Sequence, residues 1–484
     1  MLSAALGAVL ERHIERAAPA SLALWSLRGL EVLDPLLRPE LHGGTTLVLA
    51  TGPPERPPAS AVLPVLPPAA PPEAAGPPLA ALLAAMFEVA WRASPPLRRA
   101  GPERMLSSAF EELFDHLDPY SRYLTPDEAR AARLRRVGQA GLGLRLGAGR
   151  SARGVVVSAL SPDGPAAGAG VRLGDRVLAV DGVPVSARNL GFAATLLEGP
   201  ADTEVELRLE RNGRRRAVLL SRRLASPASV RSEARDGVLS LRVEAFTDST
   251  DDQLAGALLA VSVSSGNPAA RGVVLDLRGN RGGLLSQAVA VASAFLPGGT
   301  VARTTGRHPD AARLWEASGP DLAGGLPVVV LVEGRSASAA EIVAAALGER
   351  GRAVVVGSAT TGKGLIQAVV PLPNGGELLV TWSQVLGPGG WPIQGVGVLP
   401  AVCTSLGAEA LAADLERLRR GELPAGAGIA RLRVLLPPPS FPQPAAETAS
   451  LRASCPPAEG RDADWAVARG LLDAPNAYAT ALMP

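Results

Sequence analysis

The sequence predicts an α/β protein with three parts: an α/β core, a β-rich domain ahead of it, and a helical N-terminal segment. Three observations carry this. From residue 237 onward, short β-branched runs alternate with helical stretches, the pattern of a largely parallel sheet. Between 137 and 225 the texture is glycines and short strands, with Val205, Leu207 and Leu209 alternating against charged residues. Up to residue 117, apolar positions recur at helical spacing on both sides of a proline-dense stretch.

In chain order, 1–51 reads as a helical segment, with Leu6, Val9, Leu10 and Ile14 on one face and a second apolar run from Leu22 to Leu37. Residues 52–78 carry five Pro-Pro pairs and read as an extended linker. Residues 79–136 form a further helical segment, interrupted at Asp118-Pro119 and restarted by Thr125-Pro126, an N-cap followed by proline in the first turn. The β-rich domain spans 137–225 and the α/β core 226–402. Within the core, Gly272–Leu277 and Leu326–Val332 read as buried strands, followed by helices near 285–295 and 339–347. Residues 403–484 form an extension of unassigned role, with a proline-rich patch at 437–444.

At 484 residues with 47% hydrophobic content, the chain has material for two or three domains. A net charge of +2 and no basic patch interleaved with aromatics argue against a nucleic-acid partner. No stretch has the length and apolarity of an integral membrane segment, and no clear signal peptide is evident. His13, His42, His116 and His308 are scattered, so neither a histidine-based triad nor a metal site is expected, and no cofactor motif is present. Cys403 and Cys455 leave two readings open, free thiols in a reducing compartment or one disulfide in an oxidising one.

Lys363 is the only lysine among 48 basic residues; the other 47 are arginine. Arginine cannot lose its proton near neutral pH, whereas a buried lysine can, so Lys363 reads as a base. Its setting, Gly357-x-x-x-x-Gly362-Lys363, nearly matches a phosphate loop. Gly364 replaces the required hydroxyl residue, and a strand-like run follows where a helix must open. The alternative is a Ser–Lys pair. Gly334-Arg-Ser336-Ala-Ser338-Ala-Ala-Glu341 follows a buried strand and opens a helix, whose free N–H groups suit an oxyanion. Either serine serves equally well as a helix N-cap on this evidence alone. Gly282-Gly283, at the end of Leu275-Asp-Leu-Arg-Gly-Asn-Arg, allows a close backbone approach.

Together, Leu275-Asp-Leu-Arg-Gly-Asn-Arg-Gly-Gly-Leu-Leu285, Gly334-Arg-Ser-Ala-Ser-Ala-Ala-Glu-Ile342, Thr361-Gly-Lys-Gly-Leu-Ile-Gln367 and Ile393-Gln-Gly-Val-Gly-Val-Leu-Pro400 resemble the C-terminal processing peptidases, or tail-specific proteases. Leu117-Asp-Pro-Tyr-Ser-Arg-Tyr-Leu124 resembles the family's segment ahead of its PDZ domain. Gly141-Leu-Gly-Leu144 and Leu173-Gly-Asp-Arg-Val-Leu-Ala-Val-Asp-Gly182 resemble a PDZ domain itself. The resemblance covers about 80–402 and implies a crotonase/ClpP-like α/β protease core with a PDZ-like domain.

Carried over by position, the resemblance makes Ser338 the nucleophile, Lys363 the general base and Gln367 the group that orients the lysine by a hydrogen bond. Ala339 and Gly282, or its neighbour, become oxyanion donors, and Leu142, Gly143 and Leu144 the loop that receives a substrate's C-terminal carboxylate. It implies a serine endopeptidase acting on protein or peptide C-termini without cofactor or metal. It also implies an extracytoplasmic, periplasmic location, a Cys403–Cys455 bond, and homo-oligomers through the N- or C-terminal helices. Ala340, Arg281 and Ala401 depart from the family's usual serine, proline and aspartate. Two rivals stand beside this reading: an inactive PDZ-type scaffold on a peptidase fold, and an acyl-CoA-handling enzyme of related core architecture.

Overall fold

The structure, a computed structural model, describes residues 1–52, 57–64, 71–137, 139–149, 154–161, 164–186, 190–197, 199, 202–225, 229–263, 270–424 and 445–482. The proline-rich patch at 437–444 lies outside the described residues. The chain forms two compact units. One comprises Met1–Arg130, Val230–Phe246 and Thr250–Pro484, the other Ala131–Ser229 with Thr247–Ser249.

The larger unit is built on a six-stranded sheet in the order Val230–Arg235, Val238–Val243, Gly272–Asp276, Val328–Val332, Ala353–Gly357, Val402–Cys403. All neighbours are parallel except the first pair, which is antiparallel. The central strands are continuous apolar runs because both faces are buried. Val273, Leu275, Val328 and Val330 face the helices Leu285–Ser293 and Ala339–Glu349. Val274, Val329, Leu331, Val354 and Val356 face the other way, onto Leu418, Val467, Leu471 and Leu472. The extension whose role was unassigned therefore supplies the second helical layer, Ala408–Arg419, Ala463–Leu472 and Pro475–Ala481.

The expectation of a largely parallel sheet covers only part of this unit. The strands Leu365–Pro371 and Glu377–Leu386 belong instead to an antiparallel sheet with Gly298–Thr305 and Arg313–Ser318, and Arg122–Leu124 pairs with Glu377–Leu379. Leu372-Pro-Asn-Gly-Gly376 reverses the chain between the two strands, and a connection this short permits only antiparallel pairing.

At the N-terminus, helices Leu2–Arg12, Pro19–Arg28, Gly76–Ala93 and Pro95–Asp115 share a core of Leu6, Leu22, Leu27, Leu79, Leu83 and Phe110. The expected second helix over 22–37 ends at Arg28, and Leu37–His42 with Thr46–Thr51 form a hairpin instead. Gly43 and Gly44, at φ 57° and 72°, make the turn, and alternating Leu47 and Leu49 are buried. The linker reading of 52–78 is also corrected. Ala59–Val62 pairs as an edge strand with Thr46–Leu49, its flanking prolines lying outside the ladder. The apolar faces of the N- and C-terminal helices proposed for oligomer contacts are covered within the chain.

The smaller unit holds strands in the order Arg214–Ser221, Glu204–Arg211, Arg176–Val180, Val155–Leu160, Leu144–Ala148, with Val183–Pro184 beside Arg176–Val180 and the helix Leu190–Leu197 packed on the sheet. Leu142, Val155, Val157, Val177, Val180 and Leu207 form its core.

Cys403 and Cys455 form a disulfide across 52 residues of sequence. It ties the edge strand of the parallel sheet to the segment that precedes the last helices. Cys455→Ser is expected to lower stability by about 2–4 kcal/mol in denaturant unfolding under oxidising conditions. Under reducing conditions, wild type and variant should coincide.

Candidate active site

Ser338 ends the turn after the strand Val328–Val332 and immediately precedes the helix Ala339–Glu349. Its φ and ψ are 57° and −116°. Among the described residues, the other non-glycine residues with positive φ are all Asp or Asn, which tolerate it. A serine there holds about 1–3 kcal/mol of backbone strain, and such outliers cluster at functional sites. Ser336, the other candidate, is fully buried and acts as a clamp. Its hydroxyl donates to Leu277 O (2.9 Å) and accepts from Glu333 N (3.0 Å).

The loop carrying Lys363 is zipped to this turn. Thr361 N donates to Ser336 O (3.0 Å) and Thr361 Oγ1 to Gly334 O (2.8 Å). The junction is the carboxylate of Glu341, which is fully buried. Oε2 accepts from Ser338 N (2.8 Å) and Lys363 N (2.9 Å). Oε1 accepts from Gly362 N (2.6 Å) and Thr360 Oγ1 (2.5 Å). The backbones of Ser338 and Lys363 are thus bonded to the same carboxylate oxygen. Glu341 is not among the site residues expected from the sequence. Its signal was a carboxylate at the third helical position after a serine, which also marks an ordinary helix start.

Glycines allow the approach. Gly362 (φ 84°) and Gly364 pack on the 393–397 loop, where side chains would meet Gly395 O at 2.8 Å and Gln394 N at 2.3 Å. Gly282 (φ 99°) lies against Ser338, and a Cβ there would come within 2.7 Å of the Ser338 Cβ. Asn280, fully buried, locks this glycine loop. Its Nδ2 donates to Val243 O, its Oδ1 accepts from Gly282 N at 2.7 Å, and its carbonyl accepts from Ala337 N. The Gly282 N–H is therefore spent, which corrects its assignment as an oxyanion donor. The exposed neighbour Gly283 keeps its N–H without an acceptor among the described residues, as does Ala339 at the helix start.

Lys363 is half-buried, with Nζ 5.2 Å from the centre of the Tyr120 ring. Its amine makes no hydrogen bond to Ser338 Oγ or to Gln367 among the described residues. Burial and then the Arg122 guanidinium hold its pKa below the ordinary lysine value, while the Glu341 carboxylate opposes them. Gln367 is not brought to Lys363 as expected. Lys363 precedes the strand, and a register shift lies between Ile366 and Gln367, so the two side chains do not share a regular strand face. Its Nε2 donates to Leu365 O and Thr381 Oγ1, both at 3.2 Å.

In the smaller unit, Leu142, Gly143 and Leu144 line a groove of about 910 Å³ with Leu146, Leu160 and Leu197. Leu144–Ala148 is the outermost strand there, so one backbone edge is open for pairing. Among the described residues, no helix is long and apolar enough to cross a membrane.

Glu341→Gln would turn an amide NH2 toward backbone N–H groups. A stability loss of about 2–4 kcal/mol is expected in chemical denaturation.

A family model described as Peptidase family S41 matches residues 237–403, and a PDZ domain model matches 156–211. The "Carboxy-terminal-processing protease" of Bartonella bacilliformis is 33% identical over 305 residues, covering 62% of this chain and 69% of its own. The "C-terminal processing peptidase, chloroplastic" of Tetradesmus obliquus is 33% identical over 325 residues, covering 63% and 68%. Among solved structures, the photosystem II D1 C-terminal processing protease matches at 29% identity and a TM-score of 0.38, covering 69% of this chain and 90% of that one. The chain, with its PDZ domain ahead of a peptidase core, belongs to peptidase family S41, the carboxy-terminal-processing serine proteases.

Proposed function

We propose that the chain hydrolyses peptide bonds with Ser338 as nucleophile and Lys363 as general base, on substrates captured by their C-termini in the PDZ groove. The observation that carries this is the shared Glu341 carboxylate, which bonds to the backbone of both residues at once. The strained Ser338 conformation and the lowered Lys363 pKa support it.

Ser338 Oγ attacks the scissile carbonyl as its proton passes to neutral Lys363 Nζ, and the ammonium then protonates the leaving amine. Water repeats the sequence to release the acyl group. The oxyanion is met by the N–H groups of Ala339 and Gly283. Side-chain rotation takes the Lys363 amine off the Tyr120 face and onto Ser338 as substrate enters. Gln367 Oε1 receives the ammonium that forms. Leu142, Leu144, Leu146, Leu160 and Leu197 suit an apolar terminal side chain, and the Leu144–Ala148 edge suits a substrate tail added as a strand. The Cys403–Cys455 disulfide supports an oxidising, extracytoplasmic compartment.

Ser338→Ala and Lys363→Arg should each abolish cleavage of a denatured protein bearing an apolar C-terminal tail, and amidating that terminus should weaken binding. Turnover surviving in both variants, or capture without turnover in the wild type, would overturn the reading. Lys363 acts when neutral, so kcat/KM rises with pH through its pKa. Arg122→Gln removes a cation that lowers this pKa, so the acidic limb of the profile should move to higher pH.

A further inference from the structure

Asp118 lies at the centre of a chain of hydrogen bonds that ends on Gln367. Its Oδ1 accepts from Tyr120 N (2.8 Å), Ser121 N (3.0 Å) and Thr381 Oγ1 (2.7 Å). Its Oδ2 accepts from Ser121 Oγ and from His13 Nε2 (3.0 Å). Burial opposes ionisation, but the bonds from His13, Ser121 and Thr381 outweigh it and hold the carboxyl well below the usual carboxylate range. Asp118 is thus an acceptor only, and that fixes the direction of every bond beyond it. The single hydroxyl proton of Thr381 is committed to Asp118, so Thr381 Oγ1 can only accept from Gln367. Gln367 must then present Nε2, whose other proton goes to Leu365 O, itself an acceptor only. Both amide protons are spent, and Gln367 Oε1 has no donor among the described residues. A flipped amide would set this oxygen against two acceptors.

We propose that Asp118 is a positioning residue, acting through Thr381 to hold the Gln367 carboxamide with its oxygen free for the Lys363 ammonium. This rests on the Ser338–Lys363 reading above. It extends it to the N-terminal segment, which lies outside both family-model matches. His13 is 1% exposed, Ile14 N donates to Thr381 O (2.8 Å), and Arg307 holds Leu10 O (2.6 Å) and His13 O (3.1 Å). The segment around His13 and Ile14 therefore fills the gap along Glu377–Leu386 between its pairings with Arg122–Leu124 and Gly298–Thr305, and supplies one donor to the chain.

The only lysine of the sequence makes the test direct, because protein labelled with ¹³C-lysine gives one ε-methylene signal to titrate. The charged and aromatic groups facing Lys363 are Arg122, Glu341 and Tyr120, and none is altered by changes at Thr381. His13 is the ionisable side chain against Asp118. Thr381→Val keeps the shape and removes the hydroxyl. With the Gln367 amide free to turn, the ammonium that swings off Tyr120 in the peptide-bound Ser338→Ala protein loses its acceptor, so the Lys363 pKa in that complex should fall by about one unit. Thr381→Ser should restore it, and Asp118→Asn should shift it in the same direction as Thr381→Val. In turnover, Thr381→Val should lower kcat about tenfold with KM within about twofold, and the double variant with Gln367→Ala should be no slower than Gln367→Ala alone.

An unmoved Lys363 titration in Thr381→Val would overturn the inference. So would losses that multiply in the double variant, or a lowered thermal midpoint with no rescue by serine. Titrations as described, with a wild type that shows no Ser338-dependent turnover, would instead overturn the peptidase reading alone.

Discussion

The active region depends on one buried carboxylate. Taking Glu341 out of water costs several kcal/mol, and its desolvation pushes the pKa up. Four donors oppose that cost, each contributing about 1.5–3 kcal/mol to a charged acceptor. The four pull the pKa back down without cancelling the effect of burial. They come from the turn 3 residues before Glu341 and the loop 19 to 22 residues after it, so the carboxylate has its full set of donors only when the Ser338 and Lys363 backbones are adjacent. Thr360 extends the junction by accepting from Val398 N, which brings in the 393–400 loop. The same charge favours the ammonium form of Lys363 and so works against the neutral amine of the proposed mechanism. Burial and Arg122 have to outweigh the group that holds the site together.

Much of this was legible from residue types alone. A lone lysine in an arginine-rich chain, two serines on a strand-to-helix turn and a Gly-Gly pair after a buried strand pointed to three segments that the structure brings together. Apolar runs located the parallel sheet. The supporting contacts were not legible, because each joins groups that local patterns treat as independent. Glu341 looks like any acidic residue in a first helical turn. Asn280 looks like a turn residue, yet it consumes the Gly282 N–H and passes the free donor to Gly283. The register shift at Ile366 and Gln367 is set by pairing with Glu377–Leu386 and leaves no mark in period-2 alternation. The Leu37–Thr51 hairpin was missed because Leu22–Leu37 contains enough leucines to mimic a continuing helical face.

The second helical layer gives the described part of the last eighty residues a structural role. A parallel sheet must be covered on both faces, and helices Ala463–Leu472 and Pro475–Ala481 cover one, with Tyr478 Oη bonded to the Val328 backbone. The segment before them acts differently. Arg452 Nη1 donates to Thr360 O (2.8 Å) and Val396 O (2.9 Å). Ala458 O accepts from Gly334 N (2.8 Å) and Ser358 Oγ (3.0 Å). The loops carrying Ser338 and Lys363 are thus both held from behind by the stretch that Cys455 anchors.

That buttress has a consequence for the timing of synthesis. Chains emerge from the ribosome N-terminus first, and contacts of large sequence separation form last. Thr360 waits for a partner 92 residues later, and Ser358 for one 100 residues later. A nascent chain that has already exposed Ser338 and Lys363 still lacks the support that fixes their loops. Hydrolytic competence therefore arrives late, after the chain's own unfolded segments have been drawn into the fold. An endopeptidase that is inert while it is itself unfolded is spared from being its own first substrate.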